Sequence, residues 1–172
     1  ATEIFGESAA MHEVMTQLRQ AAKHTSSTIL LTGETGAGKD LAARALHELT
    51  FPNANAPFIA VNCAALPTEM FESELFGAER GAYTGADKKR AGLVAAAALF
   101  LDEIAEVPPG LQAKLLRLLE AREFRSLGST ESQPFTGRFV AATNKKLADE
   151  VKAGRFREDL WYRLDVFAVE LP

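Results

Sequence analysis

An α/β fold, with a parallel sheet covered by helices on both faces, is predicted by three observations. Short apolar and β-branched runs alternate along the chain with segments whose apolar residues recur at helical spacing. The runs are apolar throughout, as expected of strands buried on both faces. The chain is 172 residues long and 47% hydrophobic, enough for one domain with a substantial core.

The elements follow in order. Ser8 can cap a helix reaching about Ala22, with Met11, Val14, Met15 and Leu18 on one face. Thr28-Ile29-Leu30-Leu31 reads as a buried strand ending at Gly33, and a helix from about Lys39 to Leu49 carries Leu41, Ala42, Ala45 and Leu46. Phe51 to Pro57, with two Pro and two Asn, is a loop before a second strand at Phe58–Asn62. Thr68 opens a short helix to Phe76, and Leu99–Asp102 is a third strand. Pro108-Pro109 precedes a helix with Leu111, Leu115, Leu118 and Leu119 in register. Phe124 to Phe135 is a polar excursion or hairpin; Phe139–Thr143 and Val166–Val169 complete five strands.

The net charge of −4 offers no electrostatic footprint for DNA. A single Cys63 excludes an intrachain disulfide and fits a reducing compartment, as a small buried residue. No apolar run approaches a membrane span, and Ala1–Gly6 lacks the regions of a signal peptide, so a cytoplasmic location is expected. The chain stops at Leu171-Pro172, directly after a strand-like run, which suggests part of something longer.

Gly33-Glu34-Thr35-Gly36-Ala37-Gly38-Lys39 lies between a predicted strand and a predicted helix, with the spacing of a phosphate-binding loop. Glycines let successive N–H groups turn toward phosphate oxygens, the helix N-terminus adds its dipole, and Lys39 supplies a mobile cation. Asp40 replaces the usual hydroxyl residue, which leaves more of a Mg²⁺ shell to Asp102 and water. A Gly-rich turn that binds nothing is the competing reading. Asp102, ending a buried strand, is suited to Mg²⁺, and the adjacent Glu103 to orienting and deprotonating a water. Adjacent acids are common on surfaces; the phosphate loop upstream is what gives this pair weight. Asn144 can hold a γ-phosphate or the same water, or simply end its strand as a turn residue.

Between these motifs lies Gly81-Ala82-Tyr83-Thr84-Gly85-Ala86, two glycines around an aromatic residue. Alone it fits any surface turn. Its position between two nucleotide-gripping motifs suits a loop that responds to the nucleotide.

With these motifs in place, the sequence resembles the AAA+ ATPase domain of bacterial enhancer-binding proteins, the activators of sigma-54-dependent transcription. The resemblance runs over nearly the whole chain. It rests on the ordered set Gly33–Asp40, Val61–Leu66, Glu72–Gly77, Gly81–Ala86, Leu99–Ile104, Ala141–Asn144 and Gly154–Leu160. It implies an AAA+ α/β subdomain over 1–172, surface loops near 77–90 and 125–137, and a helical lid beyond this chain. It further implies ATP and Mg²⁺ as ligands, with Ile4, Phe5 and Leu41 joining Gly33–Asp40 and Asp102 around the nucleotide. Asn62 corresponds to a switch residue that restrains Glu103, although a strand-terminating cap is its plain alternative, and Asn144 corresponds to sensor I. Arg157 and Arg163, six residues apart, match the family's candidates for reaching a neighbour's γ-phosphate. The working form is then a hexameric or heptameric ring.

In this resemblance Gly81–Ala86 is the sigma-54 contact, with Tyr83 where Phe is usual, and 125–137 is a second loop moving with it. ATP-driven loop movement would remodel the sigma-54 RNA polymerase closed complex; promoter DNA would be reached through another domain. Between Gly92-Leu93 and Leu99 the chain is about three residues shorter than the family pattern, where a turn is expected before the acidic strand. We read this gap as missing residues in preference to a true deletion. The rivals are a general AAA+ remodeller with another target, which has no need of Gly81–Ala86, and a nucleotide-binding assembly module without turnover. Intact Glu103, Asn144 and the arginine pair weigh against the last.

Overall fold

The computed structural model describes residues 8–24, 26–52, 57–78 and 98–172. Five strands, β1 (Ile29–Thr32), β2 (Phe58–Asn62), β3 (Ala98–Asp102), β6 (Arg138–Thr143) and β7 (Phe167–Glu170), form one parallel sheet in the order β2-β3-β6-β1-β7. β4 (Glu123–Phe124) and β5 (Gln133–Pro134) form a separate antiparallel hairpin, in the predicted polar excursion. The helices are α1 (Ala9–Ala22), α2 (Lys39–Thr50), α3 (Thr68–Phe76), α4 (Pro109–Ala121), α5 (Leu147–Lys152) and α6 (Glu158–Leu164).

Strand alternation sorts the sheet's side chains into two cores. Ile29, Leu31, Phe100, Val140, Ala142 and Val169 pack with Val14 and Leu18 of α1 and Ala42 and Leu46 of α2. Leu30, Leu99, Leu101, Phe139 and Ala141 face the other way, onto α3, α4 and α6. A one-residue slip of any central strand would exchange these sets and leave both layers mispacked.

Local signals account for the helix ends. Ser8 Oγ accepts the Met11 N–H at 3.2 Å and starts α1, whose buried Val14, Leu18 and Ala21 lie on one stripe. Pro109 opens α4, where its missing N–H costs nothing. α4 ends at Arg122 in the left-handed region (φ 56°), where its carbonyl accepts the Phe135 N–H at 2.7 Å and its guanidinium donates to Gly137 O at 2.8 Å. That residue therefore closes the hairpin onto α4.

The five strands fall within a residue of their expected limits. The structure adds α5 and α6, which are too short for a clear apolar period. It also places Arg157 at the N-cap of α6 (ψ 132°), so only Arg163 of the two arginines is helical. Ile4, Phe5 and the Gly81–Ala86 loop lie outside the described residues.

Candidate functional site

In a parallel sheet the C-terminal strand ends form one edge, where loops gather ligand-binding groups. Here that edge carries the loop after β1, Asn144 after β6, and Asp102 with Glu103 at the end of β3. Because β6 lies between β1 and β3, Asn144 stands between the loop and the acids. Thr35, Gly36, Gly38, Lys39, Asp40, Asp102, Glu103 and Asn144 line a common cleft of about 240 Å³.

The loop continues the sheet before turning away: Gly33 N–H donates to Thr143 O at 3.3 Å, and Ala37 N–H to Glu34 O at 3.0 Å. Gly36 (φ 86°) and Gly38 (φ 95°) hold left-handed conformations that a side chain would strain. Gly38 is the N-cap of α2 and leads into it through the Ala42 N–H to Gly38 O bond at 2.9 Å. The unpaired N–H groups of the first turn of α2 therefore face the cleft end of the helix. Lys39 is buried, and its Nζ donates to Gly33 O and Glu34 O, both at 2.8 Å. Loop carbonyls thus satisfy the ammonium, and an arriving phosphate would compete with them for it.

Asp102 Oδ1 accepts the Glu103 N–H at 2.9 Å, and Glu103 takes a left-handed backbone (φ 55°, ψ 51°). A non-glycine residue held there costs about 1–3 kcal/mol, and such strain gathers at functional sites. The single 3₁₀ turn Ile104–Glu106 fixes it from behind, through Glu106 N–H to Glu103 O at 2.9 Å. Lys145, next to Asn144, pairs with Glu106 at 2.6 Å and ties the two strand ends together. Asn144 Nδ2 donates to Thr35 Oγ1 at 3.0 Å, so the predicted γ-phosphate sensor touches the phosphate loop.

The acidic field is felt by Cys63, whose N–H donates to Asp102 O at 3.0 Å. Burial first, then the charges of Asp102, Glu103 and Glu106, push its thiol up to about 12. It is a buried, inert thiol, as the sequence suggested.

Other expected residues stand apart from the cleft. Asn62 neighbours Asp102 in register, but its Oδ1 accepts the Ala64 N–H at 3.0 Å, the plain turn-forming alternative. Leu41 is exposed and not among the lining residues. Arg157 and Arg163 do not line the cleft either. Arg157 forms a two-pronged pair with Asp159 (2.9 and 2.8 Å), and Arg163 approaches Glu120 at 3.7 Å. Another depression lies between Ala10 and Val14 of α1 and the C-terminal end of β7, with Glu170 and Leu171 in its lining.

Three supporting residues escaped sequence reasoning. Lys145 pairs with Glu106 as described. Gln112, fully buried on α4, bonds the backbone of Val107, Arg155 and Arg157. Arg138, also buried, donates from Nη2 to Ala21 O at 3.0 Å and to His24 O, capping the C-terminal end of α1. Burial lowers its guanidinium to about 10. A polar residue inside an apolar pattern, Gln112 between Leu111 and Leu115, was the available signal for the second.

The chain is similar to known proteins in sequence and in fold. The "Nif-specific regulatory protein" of Azotobacter vinelandii is 49% identical over 98% of this chain and 33% of its own length. The "Transcriptional regulator VasH" of Vibrio cholerae is 48% identical over 98% of this chain and 32% of its own. The chain thus spans about a third of the curated relatives it matches. The crystal structure of NtrX from Brucella abortus in complex with ATP superposes with a TM-score of 0.87 at 36% identity, covering 100% of this chain and 39% of that one. The Sigma-54 interaction domain family matches residues 4–170, and the chain belongs to that family.

Proposed function

We propose that the domain hydrolyses ATP within a ring of subunits and uses the cycle to remodel sigma-54 RNA polymerase through the Gly81–Ala86 loop. The observation that carries the ATPase reading is the convergence of Lys39, Asp102, Glu103 and Asn144 on one cleft, at adjacent strand ends. The loop amides and Lys39 hold phosphate, Asn144 senses the γ-phosphate, and Glu103 takes the proton of the attacking water. The base sits in the depression between α1 and Leu171.

Asp102 suits Mg²⁺. Glu103 N–H occupies one of its oxygens and leaves the other for a cation. Mg²⁺ is commonly held by one or two carboxylates together with phosphates and water, a role open to Asp102. When bound, the ion would neutralise charge on the phosphates; Asp102 would hold it and Glu103 would still position water.

Arg157 and Arg163 act on the cleft of the next subunit, since neither lines their own. Asn62 leaves its local turn to restrain Glu103 in some nucleotide states. That NtrX was crystallised with ATP supports the nucleotide assignment. The family's description supports sigma-54 as the partner. No helix among the described residues is long and apolar enough to cross a membrane.

The test uses full-length assembled protein. Glu103→Ala should abolish turnover while ATP still binds, and Thr84→Ala should spare turnover but lose nucleotide-dependent association with sigma-54. Unchanged turnover in Glu103→Ala would remove the base; association that ignores nucleotide would remove the mechanical coupling.

A further inference from the structure

We propose that Gln112 is a positioning residue that fixes where Arg157 leaves the subunit and ties it to the turn behind Glu103. Its carboxamide is fully buried, and three backbone groups from two distant segments converge on it. Nε2 donates to Val107 O at 3.2 Å and to Arg155 O at 2.9 Å, and Oε1 accepts the Arg157 N–H at 2.8 Å. Two carbonyls and one N–H permit only this orientation of the amide.

Both ends of the bracket are anchored. Val107 closes the 3₁₀ turn behind Glu103, through its N–H to Ile104 O at 3.2 Å. On the other side, the Arg155 guanidinium grips the buried Glu150 (2.7 and 3.2 Å), and its N–H donates to Glu150 O at 3.0 Å. Gln112 therefore joins the turn of the subunit's own water-activating carboxylate to the backbone of an arginine aimed outward. A buried glutamine of purely structural value needs only satisfied partners. This one holds the Arg157 N–H at the N-cap of α6, the backbone from which a side chain proposed to act on another subunit departs. Displacements of about 1 Å in such a group cost on the order of 100-fold in rate.

The inference rests on Arg157 acting in trans, so the experiment separates the two claims. It uses full-length assembled protein and ATP turnover. Gln112→Met keeps volume and removes all three bonds; kcat should fall about 10- to 100-fold with KM for ATP nearly unchanged, because Gln112 is outside the cleft. Gln112→Glu, protonated in this buried site, keeps an acceptor for Arg157 and one donor, and should retain more activity than methionine. A purely structural role predicts instead that both substitutions lower the melting temperature while kcat per folded subunit stays at the wild-type value.

Each variant is then mixed with Glu103→Gln subunits, whose own sites are dead but whose Arg157 is correctly held. Turnover above the weighted mean of the separate proteins is expected, as it is for Arg157→Ala mixed with Glu103→Gln. If the Arg157→Ala mixture recovers and the Gln112 mixtures do not, the bracket is overturned and the trans arginine stands. If neither recovers, the trans reading fails and takes the bracket with it. Should Gln112→Met not fold, the mixing result with Gln112→Glu decides.

Discussion

The cleft at the ends of β1, β3 and β6 and the outer edge at α6 are built in opposite ways. Contacts within the cleft hold three groups: Lys39 is buried against loop carbonyls, the Glu103 backbone is held by a 3₁₀ turn, and Asn144 is bonded to Thr35. At α6 only the backbone is fixed, and the two guanidiniums are about half-exposed, at 47% and 53%, with single acidic partners. The difference teaches where the subunit is finished. The cleft gathers Lys39, Asp102, Glu103 and Asn144 within one chain, whereas neither arginine lines it.

The largest effect expected breaks that comparison directly. On the proposed trans role, replacing the responsible arginine, Arg157→Ala or Arg163→Ala, should cost about 10³–10⁵-fold in kcat. Titrating the variant into wild-type subunits of the full-length protein should reduce turnover in a non-additive way. Loss strictly proportional to the variant fraction would place the arginine's effect inside its own subunit.

A smaller effect sharpens the comparison from the far end of β6. Arg138 begins the strand that Asn144 follows, and it bolts α1 to the sheet through the carbonyls of Ala21 and His24. Arg138→Met removes a cation bonded to two helix-terminal carbonyls, and the loss of one charged hydrogen bond costs about 1.5–3 kcal/mol. Thermal unfolding should report that loss, with KM for ATP rising at most a few-fold, since α1 borders the depression proposed for the base but lines none of the cleft. A raised KM with unchanged stability would show that α1 positions the nucleotide through this bolt.

Legibility in the sequence follows the same division. The strands and cleft were readable because each group sits at the end of an apolar run, so run and chemistry share one signal: Leu30-Leu31 before Gly33, Leu99–Leu101 before Asp102, Phe139–Thr143 before Asn144. Strand order was not readable; that β6 separates β1 from β3 is a tertiary fact which alone brings Asn144 beside Thr35. Gln112 and Arg138 were missed because their partners are backbone atoms 43 and 117 residues away, and backbone atoms leave no mark on sequence. Asn62 shows the opposite limit. Motif position suggested a switch, while its side chain sits in the local turn that any Asn after a strand can form.

The smallest effect concerns the Arg157–Asp159 pair, which decides whether the outer arginine is held back or aimed. The hydrogen bond from Arg157, reinforced by the Leu160 N–H, holds the Asp159 carboxyl below the ordinary carboxylate range. The pair is therefore complete near neutral pH and is lost only as pH falls through that lowered value. Asp159→Asn removes the charge but keeps an oxygen for the Leu160 N–H, bonded at 2.8 Å, so the first turn of α6 survives. Solvent screens such an exposed pair, so its effect is small. If the pair competes with the neighbouring nucleotide for the guanidinium, turnover of the assembled protein should rise by up to about five-fold. If Asp159 instead aims the guanidinium across the interface, turnover should fall by a similar factor. Measured at pH 7 against Arg157→Ala as the floor, the sign of the change separates restraint from aim.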